Sequence, residues 1–408
     1  MTTRPLNHDR LFRWIDELGA IGATPEGGVR RIAATNADKA GRDKIVSWMR
    51  ELDLHIEIDR IGNILGTLRG ERDDAPIMIG SHIDTVGNGG RLDGPYGVLA
   101  GLEIAASFRD AGLTPARPIT ITIFTNEEGV RFQPDMMGSL VYADGLDVDT
   151  ALAASDRDGV RLGEELQRIG YDGPLDCGAK KPHCFLELHI EQGPVLEAED
   201  ITLGAVEGVQ GIFWTGFTIK GQANHAGTTP VHLRRDAGYA AAQIAVEARK
   251  IAKNIEGQVA TAGQIDLKPN LINVVAGEAY ITIDLRNADK AQLLEAQQKL
   301  EDAVAAIATE EKLEIHAEEL VRYDPVKFDG PLVEIIEAVT KKSGRSIKRM
   351  VSGAGHDAQM MARICPTAMI FVPSINGVSH NPKEATHPAD LKAGLDVLSA
   401  TIDRLLDT

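Results

Sequence analysis

Apolar and polar positions along the chain follow two alternating periods. APIMIGSH (75–82) and PITITIFTN (118–126) are apolar, β-branched runs of strand length. GVLAGLEIAASFRDAG (97–112) between them carries apolar residues at helical spacing and stops at Gly112. Strand, helix, strand predicts a crossover unit in a partly parallel sheet. Similar pieces return near the end: IIEAVTKKSG predicts a helix, TAMIFVPS (367–374) a strand, and PADLKAGLDVLSATIDRLL (388–406) a closing helix with proline at its start. The expected class is α/β with a mixed sheet.

From residue 212 the order changes. IFWTGFTIKG predicts a strand, RRDAGYAAAQIAVEARKIAK a helix, QVATAGQID and EAYITIDLR two strands, ADKAQLLEAQQKLEDAVAAIA a helix, and LEIHAEEL a strand. That β-α-β-β-α-β order is a ferredoxin-like two-layer unit. GVQG (208–211) and DPVKFDG (324–330) flank it as hinge segments. The chain thus divides into a larger α/β domain of residues 1–210 and 328–408 and an inserted module of residues 211–327. A length of 408 residues also suits two cores better than one.

The balance of 43 basic against 60 acidic side chains gives a formal charge of −17, which repels nucleic acid and anionic membranes. No apolar run reaches the ~18 residues of a membrane span. Three cysteines without CxxC spacing read as reduced thiols, so a soluble, cytoplasmic protein is expected.

Candidate chemistry gathers where predicted strands run out. In GSHIDTVGNGGRLDGPYG (80–97), His82 and Asp84 share a strand face, and the glycines allow Asp93 to fold back toward them. TNEEGVRF places Glu127 and Glu128 just beyond the second strand. In FLELHIEQGP, alternation puts Glu187, His189 and Glu191 on one face; in SINGVSHNPKE, His380 follows strand 367–374. Singly, these also fit a satisfied core histidine, a solvated acidic turn and a half-exposed edge strand. Together, His82, Asp93, Glu128, His189 and His380 supply three imidazoles and two carboxylates, a set suited to Zn²⁺, Mn²⁺, Co²⁺ or Ni²⁺. Five ligands serve two ions when one carboxylate bridges them. No GxxxxGK[ST] or GxSxG motif supports nucleotide or serine-hydrolase chemistry.

GSHIDTVGNGGRLDG, TNEEGVRF, ELHIEQGP, NHAGTTP, GAGHDA and SHNPKE together resemble the M20-type metalloaminoacylase superfamily, and within it the hydantoinase/carbamoylase branch. That branch holds N-carbamoyl-L-amino-acid hydrolases, allantoate amidohydrolases and β-ureidopropionases. The resemblance runs from about residue 60 to the C-terminus. It implies that His82, Asp93 and His189 hold one divalent ion and that Asp93, Glu128 and His380 hold a second, with Asp93 bridging. It further implies Glu127 as general base and Asp84 as the partner orienting His82. The branch's peptidase relatives usually carry a carboxylate where His189 stands. The resemblance also implies a homodimer whose inserted module pairs with its copy and closes over the catalytic domain.

On the same resemblance, the substrate is a small ureido anion. Arg286 and Asn273 would meet its carboxylate, and Gln192 would read it through an amide. His225 would be an oxyanion donor from the opposite subunit; Gly355 and His356 would be a backbone and a side-chain donor. The expected activity is cleavage of the carbamoyl C–N bond of N-carbamoyl-L-amino acids to the amino acid, carbon dioxide and ammonia. Allantoate and N-carbamoyl-β-alanine are the alternative substrates, and VEGVQGIFWTGFTIKG (206–221) resembles carbamoylases slightly more than allantoate enzymes. A non-catalytic dimeric binding protein of the same fold is the alternative from another class. Its mark would be a missing ligand or a missing Glu127, and all are present.

Overall fold

The computed structural model describes residues 4–406. It separates into two compact units: Gly208–Val326 form one, and the described residues up to Glu207 and from Lys327 onward form the other. The sequence had placed the insertion at 211–327.

The larger unit is built on a nine-stranded sheet. Its strands run in the order His55–Ile58, Ile64–Leu68, Ile119–Phe124, Ile77–His82, Cys184–Ile190, Thr367–Val372 and Leu203–Val209, with Val326–Lys327 and Ile347–Ser352 both pairing with the last of these. The four central strands, from Ile119–Phe124 to Thr367–Val372, are mutually parallel. Antiparallel partners flank them on either side.

The expected crossover exists: Ile77–His82 leads through helix Pro95–Asp110 into Ile119–Phe124. The helix starts ahead of the predicted 97, because Pro95 fits the first turn, where its fixed φ suits the helix and its missing N–H has no partner to lose. Gly97 lets it approach the sheet closely, since a methyl there would sit 2.5 Å from the Leu188 carbonyl oxygen.

Strand Cys184–Ile190 is buried along its whole length and lies between two parallel neighbours. It is a central strand, which overturns the half-exposed edge alternative. Alternation sends Leu186, Leu188 and Ile190 into the apolar core and leaves Glu187 and His189 on the other face. There the backbone N–H of Ala358, in helix Asp357–Met361, donates to Glu187 at 2.8 Å.

The second unit is a four-stranded antiparallel sheet in the order Glu314–Tyr323, Gly211–Lys220, Glu278–Asn287, Val259–Lys268. Helices Ala237–Asn254 and Lys290–Glu310 complete the β-α-β-β-α-β order. In Glu278–Asn287 buried and half-buried residues alternate strictly: Ile281, Ile283 and Leu285 join the helices' core, while Tyr280, Asp284 and Arg286 line the other face. Among the described residues no helix is long and apolar enough to cross a membrane.

Candidate metal centre

The carboxyl ends of adjacent parallel strands are where open α/β sheets assemble their sites. Here the central strands deliver His82 as a last residue, His189 near another strand end, and Glu127 and Glu128 just past Phe124. Asp93 and His380 arrive on the loops that follow. Among the described residues three groups of metal-type donors form: His82, Asp93 and His189; Asp93, Glu128 and His380; and Glu187, His189 and His356. Within each group the donor atoms all lie within 4.8 Å of one another.

Asp93 belongs to the first two groups, and its two oxygens divide the work. Oδ1 lies 3.2 Å from His189 Nε2 and 3.6 Å from His82 Nε2. Oδ2 lies 3.3 Å from His380 Nε2, which is itself 3.5 Å from Glu128 Oε2. All five candidate ligands are therefore brought together.

Hydrogen bonds set the histidine tautomers. His82 Nδ1 lies 2.9 Å from the Asp84 carbonyl oxygen, and His189 Nδ1 lies 2.8 Å from that of Ile190. A carbonyl only accepts, so both Nδ1 atoms carry the proton and both Nε2 lone pairs face Asp93. The Gly94 N–H donates to His189 Nε2 at 3.1 Å, in agreement with that tautomer. Asp84 thus orients His82 through its main-chain oxygen. Its carboxylate lies 3.8 Å from His82 Nδ1 and instead accepts the N–H groups of Glu127 and Glu128, each at 3.3 Å. The residue the resemblance names as the partner of His82 thus meets it through a main-chain oxygen.

The electrostatics suit a cation. Burial, then the Asp93 charge, pushes Glu128 up to about 8. Burial raises Glu127 well above the carboxylate range, with Asp357, Glu128 and Asp93 adding to it against His82. Asp93 moves the other way: burial opposes ionisation, but the His189, His380 and His82 contacts hold it well below its ordinary value. His380 rises to about 9, mainly through Asp93. Crowded carboxylates that raise one another's pKa need positive charge among them. With divalent ions of the zinc or manganese type bound, the imidazoles would offer neutral Nε2 donors beside ionised carboxylate oxygens, a donor set that suits such ions.

Glu127 Oε2 lies 3.4 Å from His82 Nε2, beside the first group. Gln192 adopts a left-handed φ of 58° and donates from Nε2 to Asp93 Oδ2 at 2.8 Å. Gly355 lies against Met136. His356 is 2% exposed, its Nε2 2.8 Å from Ser352 Oγ and its ring edge-on to His189 at 4.7 Å between centroids. Burial, reinforced by His189, holds it well below its ordinary pKa and therefore neutral. The structure packs His356 edge-on against the candidate ligand His189.

His225, Asn273 and Arg286 belong to the second unit. Two short strands, Asn224–His225 and Val274–Val275, pair there, and the Ala226 N–H donates to the Asn273 carbonyl at 3.0 Å. His225 and Asn273, far apart in sequence, are thus neighbours. The N–H groups of Gly227 and Thr228 both donate to His225 Nδ1, at 3.0 and 3.2 Å, so the proton sits on the exposed Nε2. The Arg286 guanidinium bonds Asp284 from Nε and Nη2.

Sequence reasoning missed Ser379 and Glu384. Both lie within motifs already noticed, but neither follows a strand period that would have marked it.

A mixed α/β sheet with two linked donor groups at its carboxyl edge and an inserted two-layer module defines a hydrolase of the metallopeptidase-like type. The chain belongs to peptidase family M20/M25/M40, whose model matches residues 78–404, and to its hydantoinase/carbamoylase branch. It is 40% identical over 397 residues to an N-carbamoyl-L-amino-acid amidohydrolase of Rhizobium meliloti, covering 97% of this chain and 95% of that one. It is 35% identical to an allantoate amidohydrolase of Escherichia coli, with 95% of each chain covered. An amidase of the hydantoinase/carbamoylase family from Burkholderia multivorans superposes with a TM-score of 0.96 at 42% identity, over 98% of both chains.

Proposed function

We propose that the protein is a dinuclear-metal amidohydrolase that cleaves the carbamoyl C–N bond of N-carbamoyl-L-amino acids. The observation that carries this reading is Asp93, whose two oxygens face two separate imidazole–carboxylate groups with Glu127 alongside. The Rhizobium relative's name supports the choice of substrate.

His82, Asp93 and His189 would hold one ion and Asp93, Glu128 and His380 the other, each ion being Zn²⁺, Mn²⁺, Co²⁺ or Ni²⁺. Bound there, such ions polarise a ureido oxygen and acidify water. Glu127 takes a proton from the attacking water and returns it to the leaving α-nitrogen. The amino acid departs, and the remaining carbamate breaks down to carbon dioxide and ammonia. His225 offers Nε2–H to the developing oxyanion, supplied by the opposite subunit of a cytoplasmic homodimer. Arg286 and Asn273 receive the substrate carboxylate, Gln192 supplies an amide, and Gly355 and His356 line the site beyond the ligands.

The test is a side-by-side assay of ammonia release from N-carbamoyl-L-amino acids, N-carbamoyl-β-alanine and allantoate by metal-reconstituted protein. The highest kcat/KM is expected on an N-carbamoyl-L-amino acid. A higher value on allantoate would replace the substrate assignment and leave the chemistry intact. No turnover on any of them, with less than one ion per subunit, would return the protein to the binding class.

A further inference from the structure

Asp93 can serve two ions only if its carboxylate plane is held in one direction. The imidazoles of the first group are fixed at strand ends by their own main-chain bonds. His380 is not: it sits on a loop with a left-handed φ of 53°, its side chain 52% exposed. What joins that loop to Asp93 lies outside both ligand sets. Ser379 Oγ lies 3.2 Å from Asp93 Oδ2 and 3.0 Å from Glu384 Oε2. The other Glu384 oxygen, Oε1, accepts the N–H groups of Leu92 at 3.1 Å and of Asp93 at 3.2 Å. Glu384 is 7% exposed, and the glycine-rich loop is moulded around it, since a methyl at Gly90 would fall 2.1 Å from Oε1. The Ser379–Asp93 bond and the two N–H bonds to Glu384 run between the loop of Asp93 and the loop of His380, and the Ser379–Glu384 bond braces the second loop internally.

We propose that Ser379 and Glu384 are positioning residues for the second ion. Glu384 locks the two loops together, and the Ser379 hydroxyl, beside the Gln192 amide that donates to the same oxygen, sets the tilt of Asp93 so that Oδ2 faces His380 and Glu128. The proposal rests on the dinuclear reading. It also explains a glycine at position 90, where any side chain would displace the clamp. Loss of a partner that orients a ligand typically weakens metal affinity ~10–100-fold.

The experiment is a calorimetric Mn²⁺ titration of chelator-stripped protein, repeated with Co²⁺ to follow its visible absorption. Wild type should bind two ions in two steps. Ser379→Ala should weaken the second step ~10–100-fold and leave the first within about threefold, with Ser379→Thr restoring it. Glu384→Leu should act like Ser379→Ala. Glu384→Gln keeps an oxygen for the two peptide N–H groups and presents an amide N–H to Ser379. It should therefore stay close to wild type. Fewer than two ions in wild type would overturn the dinuclear reading itself. Two ions in wild type with an unaltered second step in Ser379→Ala, or an equal loss at both steps, would overturn the positioning role alone.

Discussion

Gly94→Ala is a small substitution aimed at the centre. Gly94 has a φ of 81°, and a methyl built on it lies 2.6 Å from Cε1 and Nε2 of His82 and 2.7 Å from Cδ2. The imidazole must retreat by about 0.8 Å to reach ordinary van der Waals separation. It has little room, being buried and tied through Nδ1 to the Asp84 carbonyl. The positive-φ backbone, with ψ at −60°, costs a non-glycine residue a further ~1–3 kcal/mol and the overpacking ~1–3 kcal/mol. Metal–ligand distances tolerate only about ±0.2 Å, so an imidazole displaced this far should lose its ion. Affinity for the first ion should fall at least ~100-fold, and kcat/KM should fall with it. The same loop holds the control: Gly87 is exposed, and a methyl there meets nothing within 4 Å. Gly87→Ala should therefore match wild type within ~0.5 kcal/mol of stability. Metal titration and thermal unfolding of both variants decide the matter. If Gly94→Ala bound two ions with wild-type affinity, His82 would not be a ligand in this geometry.

Glu127→Gln should retain both ions and lose ~10²–10⁴-fold in kcat; near-normal turnover would remove Glu127 as the proton carrier. Mixed with His225→Ala, itself expected to be nearly inactive, it should regain about a quarter of wild-type activity once subunits exchange, because half the sites of each hybrid dimer are complete. No recovery after verified exchange would place His225 in its own subunit's site. Asp84→Asn should leave metal affinity within about threefold, because the main-chain oxygen orients His82. It should lower stability by ~1–3 kcal/mol by leaving an N–H of the Glu127–Glu128 turn unpaired. A large loss of metal affinity would restore the carboxylate as the orienting group. Arg286→Lys should raise KM ~10–100-fold with less change in kcat, as expected when a bidentate carboxylate contact is lost; an unchanged KM would release Arg286 from substrate binding.

Where sequence reading succeeded and where it fell short follows from range. The strands carrying His82 and His189 were legible because apolar runs report burial locally, and the candidate ligands stand at the ends of those runs. The β-α-β-β-α-β order of the second unit was legible for the same reason. Asp84 was identified, but sequence does not tell a side-chain oxygen from a main-chain one. Only the turn that brings Glu127 and Glu128 onto the Asp84 carboxylate settles which oxygen does what. Strand Cys184–Ile190 reads as half-exposed because Glu187 alternates with leucines, and polarity normally means solvent. Here Ser81 and the Ala358 N–H satisfy Glu187 in the interior. Glu384 was illegible because its partners, Leu92 and Asp93, lie almost three hundred positions away.

One feature of the ligand set bears on why an acidic chain would take an anionic substrate. On the proposed reading, two divalent ions meet two carboxylates, Asp93 and Glu128, and three neutral imidazoles, so the ligands leave a net positive centre even after Glu127 is counted. A carboxylate in the position of His189 would remove one unit of that charge and weaken the pull on a second anion. The surrounding charge of −17 cannot supply that attraction, and in a buried setting the near field outweighs the far one. On that reading His189 would do more than complete a coordination shell. With its Nδ1–H committed to Ile190 and its Nε2 turned to Asp93, it would keep a two-ion centre cationic enough for a negatively charged ureido substrate to sit beside Glu127, itself ionised by those ions.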